Sequence, residues 1–125
     1  MWRKLLLLAL AGALGTLARY SVSGWVQRGT GAAFPWGTLA VNTAGCFLAG
    51  LAWTLAEHRI QVTGETRAIV LIGFMGAFTT FSAFMLETSE LMRDAEWLRA
   101  AANVVVMNCA GLAALFAGLF AGRAW

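Results

Sequence analysis

Hydrophobic residues in this chain neither alternate nor form a single stripe; they come in long blocks separated by short polar intervals. A helix needs roughly 20 apolar residues to cross the hydrocarbon core of a bilayer. Four blocks meet that length. They run from about Leu5 to Val26, interrupted by Arg19; from about Trp36 to Ala56, uncharged; from about Ala68 to Met92, with Glu87 and Glu90 near the end; and from about Trp97 to Ala121, with Arg99 at the start. The second block opens just after Pro35, a residue suited to the first turn of a helix. The connectors QRGTGAAFP, EHRIQVTGET and RDAE are short. The pattern predicts an all-α membrane protein, one four-helix transmembrane domain over residues 1–125.

The third block contains a segment that fits a continuous helix poorly. GFMGAFTTFSAF, residues 73–84, sets glycine beside threonine and serine. Glycine costs about 1 kcal/mol in a helix relative to alanine, and the hydroxyl residues favour caps and turns. A break is predicted near Gly76 to Thr80. Breaking a helix in lipid frees backbone groups, which is tolerated only where protein or a cavity satisfies them. Discontinuous helices of this kind bind cations at freed carbonyls and anions at helix N-termini. Phe81 and Phe84, three apart, share a face after the break, as Phe74 and Phe78 do before it. Such pairs serve as packing stripes, and they also offer positive ring edges to an anion.

Composition supports the membrane reading: 60% of the residues are hydrophobic and 12% charged, outside the balance of a soluble domain. MWRK followed by LLLLALAGA has the form of a signal peptide with a cleavage-like Ala9–Leu10–Ala11 triplet, but the apolar run continues past Arg19 to Val26. A retained first span is therefore expected. Cys46 and Cys109 stand singly in apolar segments, and the one histidine, His58, lies in a connector. No disulfide framework, metal-ligand spacing or nucleophilic triad can be assembled from them, and no catalytic activity is expected. The net charge of +3 comes from scattered basic residues, which read as membrane flanks, not as a nucleic-acid surface.

With four spans, Arg3, Lys4, Arg59, Arg67 and Arg123 fall on one side, while Arg28, Arg93 and Arg99 fall on the other, with Arg19 towards it. Basic residues in short loops orient membrane proteins, and this near balance selects neither orientation. Short loops and a small bundle also leave no room to enclose a wide pathway alone, so a homo-oligomer is expected. Small residues one turn apart fit close helix contacts, either within the chain or between copies: Gly12 with Thr16, Gly45 with Ala49, Cys46 with Gly50, and more loosely Gly111 with Leu115.

Polar groups inside the spans are expensive and therefore candidates for function. Arg19 fits snorkelling to the headgroups or an assembly role. Thr38, Asn42, Gly45 and Ala49 share one helical face, on which Asn42 either donates to a passing anion or holds a neighbouring helix. Asn103 and Asn108 repeat the theme in the fourth span, Asn108 lying deeper. Glu87 lies deeper than Glu90, which fits a solvated helix end.

GALGTLARY, WGTLAVNTAG and GFMGAFTTFSAFMLET, in this order and spacing, resemble the Fluc (CrcB) family of small bacterial fluoride channels over essentially the whole chain. The resemblance implies an antiparallel, dual-topology homodimer in the bacterial inner membrane, with narrow fluoride pathways along its interface. It implies that Asn42, Phe81 and Phe84 face fluoride, that Thr80 and Ser82 support the polar track, and that Asn108 occupies one of its serine positions. It further implies a structural sodium ion at the dimer centre, held by backbone carbonyls that match Gly76 and Thr79. Arg19 and Glu87 match the family's first-helix arginine and its acidic residue after the phenylalanines. The chain departs from the family's TTFSTF at Ala83, and Met85, Leu86 and Leu112 also stand where other residues are common. A passive fluoride channel is the expected function. A small proton-coupled anion exporter and a non-transporting assembly protein are the alternatives, the first weakened by the small number of ionisable groups in the spans.

Overall fold

The structure is a computed structural model that describes residues 1–58 and 61–124. Arg59, part of the charge balance considered above, lies outside the described residues, as do Ile60 and Trp125. The elements are α1 (Trp2–Thr30), α2 (Trp36–His58), α3 (Gly64–Ala68), a π-helical segment (Ile69–Met75), the single turn α4 (Gly76–Phe78), α5 (Phe81–Arg93) and α6 (Trp97–Ala124). From α3 to α5 they form one interrupted span, Gly64–Arg93, so that among the described residues four helices are long and apolar enough to cross a membrane. The helices run past the predicted blocks because their polar ends remain helical. At about 1.5 Å per residue, the 29 residues of α1 reach roughly 44 Å, beyond a hydrocarbon core of about 30 Å.

The connectors are tied down by specific bonds. Gly31 ends α1 at φ 88°, in the left-handed region where glycine has no Cβ to clash. Gln27 then staples the turn: its amide nitrogen donates to the carbonyls of Gly31 (2.6 Å) and Phe34 (3.0 Å), and its oxygen accepts the Gly37 N–H (2.9 Å). Thr63 caps α3 by accepting the Thr66 N–H.

α2 and α6 pack along most of their length, α1 packs against the π-helical segment, α4 and α2, and α5 leans on α6. The α2–α6 approach depends on absent side chains. A Cβ at Gly118 would strike the Phe47 carbonyl, and one at Gly50 would strike the Leu115 carbonyl. Gly45, read from sequence as open to contacts within or between chains, lies against Thr79 and Phe78 of the same chain. These close approaches are thus made inside the subunit. The buried apolar core is small: Val41, Met75, Phe78, Phe84, Ala100 and Met107. Leu6, Leu10, Leu14 and Leu17 stay exposed along α1, as a surface surrounded by lipid tails or a second copy permits.

Candidate functional site

The third span stops being helical where its composition predicts. Thr79 (φ −87°, ψ 159°) and Thr80 (φ −150°, ψ 115°) are extended, separating α4 from α5. The seven-residue π-helical run upstream is not foreshadowed by the sequence pattern; wide turns of this type recur at functional sites. The chain re-enters the helix at Thr80, whose hydroxyl accepts the Ala83 N–H (3.2 Å) as an N-cap and lies 3.4 Å from the Ser82 hydroxyl.

Three side chains or groups satisfy the break. Asn42 of α2 grips Thr80 at both ends: its Oδ1 accepts the Thr80 N–H (2.7 Å) and its Nδ2 donates to the Thr80 carbonyl (3.0 Å). Arg19 of α1 donates from Nε to the Ala77 carbonyl (3.0 Å). It is engaged with the break, which simple snorkelling does not explain. Thr79 turns back, both its N–H and its hydroxyl donating to the Met75 carbonyl (3.0 and 2.9 Å).

In a continuous helix the Gly76 and Thr79 carbonyls would accept from the N–H groups of Thr80 and Ala83. Both donors are engaged elsewhere, with Asn42 Oδ1 and Thr80 Oγ1. Both carbonyls expected to face a cation thus lack the N–H that a continuous helix would supply, as do those of Ala77 and Phe78 between them. Neutral carbonyl oxygens at an unwound segment are donors of the kind that hold sodium in discontinuous helices. Among the described residues no cluster of His, Cys, Asp or Glu competes for a metal.

Beside the break, a cleft of about 330 Å³ is lined by Asn42, Thr80, Phe81, Phe84, Met107 and Asn108, among others. Phe81 and Phe84 form a T-shaped pair, their centroids 5.7 Å apart and their planes at 70°. Phe84 is 3% exposed and Phe81 72%, so one ring is built into the subunit and the other projects from it. Phe74 and Phe78 instead stack, with centroids 5.9 Å apart and planes 9° from parallel. Asn108 borders the cleft but donates its amide to the Val104 carbonyl one turn back (2.7 Å).

Towards one end of the bundle lies a second cleft of about 410 Å³, bordered by Gln27, Thr38, Glu87, Glu90 and Asp94. There the Thr38 hydroxyl donates to Glu87 Oε1 (2.5 Å), while Glu87 Oε2 is buried without a hydrogen-bond partner among the described residues. Glu90 borders the same space, and His58 is exposed beside Glu57 (3.7 Å), as a connector position suggests. Cys46 and Cys109 are free thiols.

Sequence reasoning missed three elements of this arrangement. Thr38 meets Glu87 across 49 residues, and Met107 lies against Asn42 across 65. Buried Asn103 donates to the Thr88 hydroxyl (2.9 Å), which donates to the Phe84 carbonyl (2.7 Å). The two asparagines were visible as candidates, but no local signal marks a threonine or methionine as their partner.

Four apolar spans, one of them opened mid-course beside a cleft of amide, hydroxyl and aromatic groups, define a small multi-pass membrane protein of the discontinuous-helix type used at ion sites. The family described as "CrcB-like protein, Camphor Resistance (CrcB)" matches residues 6–119. A protein of Nitrosococcus oceani is 58% identical over 118 residues, covering 94% of each chain. One of Desulforapulum autotrophicum is 56% identical over 123 residues, and one of Solidesulfovibrio magneticus 52% over 123, each covering 98% of both chains. All three carry the name "Fluoride-specific ion channel FluC". The chain belongs to the CrcB family.

Proposed function

We infer that this chain forms a passive, fluoride-selective channel that lets cytoplasmic fluoride leave the cell. The observation that carries the reading is the cleft at the helix break, where amide, hydroxyl and aromatic groups converge in a membrane-spanning bundle. The near full-length likeness to proteins named fluoride-specific channels supplies the ion. Fluoride enters acidified cells as neutral HF, dissociates at higher internal pH and is trapped as the anion. A pore relieves that trap without an energy source.

Fluoride is strongly hydrated, so passage through a narrow path requires groups that replace its water. Asn42 brings an amide held rigidly by Thr80, Thr80 and Ser82 bring hydroxyls, and Phe81 and Phe84 bring ring edges carrying the positive part of the aromatic quadrupole. Asn108 adds an amide at the border of the cleft. A larger halide is penalised by the narrowness of such a path. Thr38 and Glu87, in the wider cleft, form the vestibule in this reading, and Arg19 keeps the break open by holding Ala77.

The working unit is a homodimer of oppositely oriented subunits. Phe81 projects from the subunit and the cleft is open on one side, so a second copy supplies the missing wall. The near balance of basic residues suits a chain that inserts both ways. Sodium is the resident cation in this reading, a structural one that the Gly76 and Thr79 carbonyls would hold, supplying positive charge to oxygens left without helical donors.

Purified protein in liposomes loaded with fluoride or chloride tests the proposal with ion-selective electrodes. Rapid fluoride efflux without a proton gradient, and slow chloride efflux, is expected. No fluoride efflux from folded protein would sink it, and efflux that requires a proton gradient would favour a coupled exporter.

A further inference from the structure

Asn42 has more hydrogen-bonding capacity than the helix break consumes. Its Oδ1 and one amide N–H are spent on Thr80 (2.7 and 3.0 Å). The amide carries a second N–H. The other contact of Nδ2 is Met107 Sδ at 3.4 Å, on α6. A thioether is a weak acceptor, and Met107 is 7% exposed, so its sulfur is a built part of the cleft wall that Asn42 also lines. The strongest remaining donor of Asn42 is thus aimed at the weakest acceptor a side chain offers.

We propose that Met107 is a specificity-determining residue of the fluoride pathway, its sulfur serving as a placeholder acceptor that fluoride displaces from the free N–H of Asn42. The inference rests on the reading of this cleft as a fluoride pathway. An anion accepts a far stronger hydrogen bond than a thioether, so the exchange favours fluoride. The rest of Asn42 stays clamped to Thr80, which keeps the donor fixed while the ion arrives. Met107 is unbranched and has several rotatable bonds, so its end can withdraw without moving α6. When the ion departs, the sulfur returns and the N–H regains a protein acceptor. The placeholder therefore weakens the hold on the ion, which favours release as well as entry. Conduction needs both, since a site that binds too well does not conduct.

Removing the sulfur tests this. Met107→Leu keeps an apolar side chain of similar volume, a swap that packing tolerates well. Norleucine introduced at position 107 keeps the shape and replaces only the sulfur by a methylene. In either variant the resting N–H loses its protein acceptor, so fluoride gains more on binding. Fluoride efflux from liposomes is measured against fluoride concentration for the wild type and both variants. The half-saturating concentration is expected to fall roughly fivefold, the weight of one hydrogen bond, with a lower maximal rate as release slows. A merely structural methionine would leave the half-saturating concentration of the norleucine protein unchanged, and that result overturns the proposal while leaving the channel intact. If Met107→Leu misfolds, the norleucine protein decides alone. Absence of fluoride efflux in the wild type would overturn the channel reading and this inference together.

Discussion

Asn42 is a primary amide in a membrane-spanning helix, and its bonds account for its being tolerated there. Its Oδ1 takes the Thr80 N–H that the helix break strips of its helical acceptor, so the amide and the break are mutually dependent. Asn103 is the opposite case. It is fully buried, and although its nitrogen reaches Thr88, its Oδ1 has no partner among the described residues. An unpaired buried acceptor costs stability, whereas an apolar side chain of the same shape does not. Asn103→Leu is therefore expected to unfold within about 0.5 kcal/mol of the wild type, or to be more stable, because Thr88 keeps its own bond to Phe84. Thermal unfolding in detergent checks this; a loss above about 2 kcal/mol would mean that the oxygen has a partner such as an internal water. Phe81 separates function from folding in the other direction. Since its ring projects from the subunit, Phe81→Ile should leave folded yield unchanged while fluoride efflux falls about fivefold or more. Unchanged efflux would reduce the ring to packing.

Among the elements, the interrupted third span and the α2–α6 pair have different requirements. The span needs partners for the groups its break frees, and other helices supply two: Arg19 of α1 for the Ala77 carbonyl and Asn42 of α2 for the Thr80 N–H. The α2–α6 pair needs bare backbone. Gly118→Ala places a Cβ against the Phe47 carbonyl and 2.9 Å from the Leu51 nitrogen, and because these are main-chain atoms the helices must separate. A loss of about 1–3 kcal/mol and reduced folded protein on size exclusion are expected. Gly29→Ala near the end of α1 is the contrast: nothing lies within 4 Å of its Cβ, so the variant should be neutral or up to about 1 kcal/mol more stable. Equal behaviour of the two variants would contradict the packing described.

For the molecule as a whole, the proposed sodium ion links stability to solution composition. A cation that binds the folded protein and not the unfolded chain raises the unfolding midpoint in proportion to the logarithm of its concentration. Exhaustive replacement of sodium by a bulky organic cation should lower the midpoint and the dimer fraction together, and restoring sodium should recover both. A midpoint indifferent to sodium would remove the ion from the account, leaving the Gly76 and Thr79 carbonyls to water or to a second copy.

What was legible from the residues alone follows from local physics. Four apolar blocks specify four spans because bilayer thickness sets a minimum length, and glycine, threonine and serine at 73–84 specify a break because each disfavours a continuous helix at its own position. The expensive polar residues Arg19, Asn42 and Glu87 could be singled out for the same reason. Their partners could not. Which carbonyl Arg19 holds, that Asn42 clamps Thr80 and touches Met107, and that Thr38 meets Glu87 depend on how the helices rotate and cross once packed. The π-helical run adds to this by changing the register of the third span ahead of the break. Solvation cost is a property of single residues and can be read in order along the chain, whereas the satisfaction of that cost is a property of pairs remote in sequence, which only the tertiary structure decides.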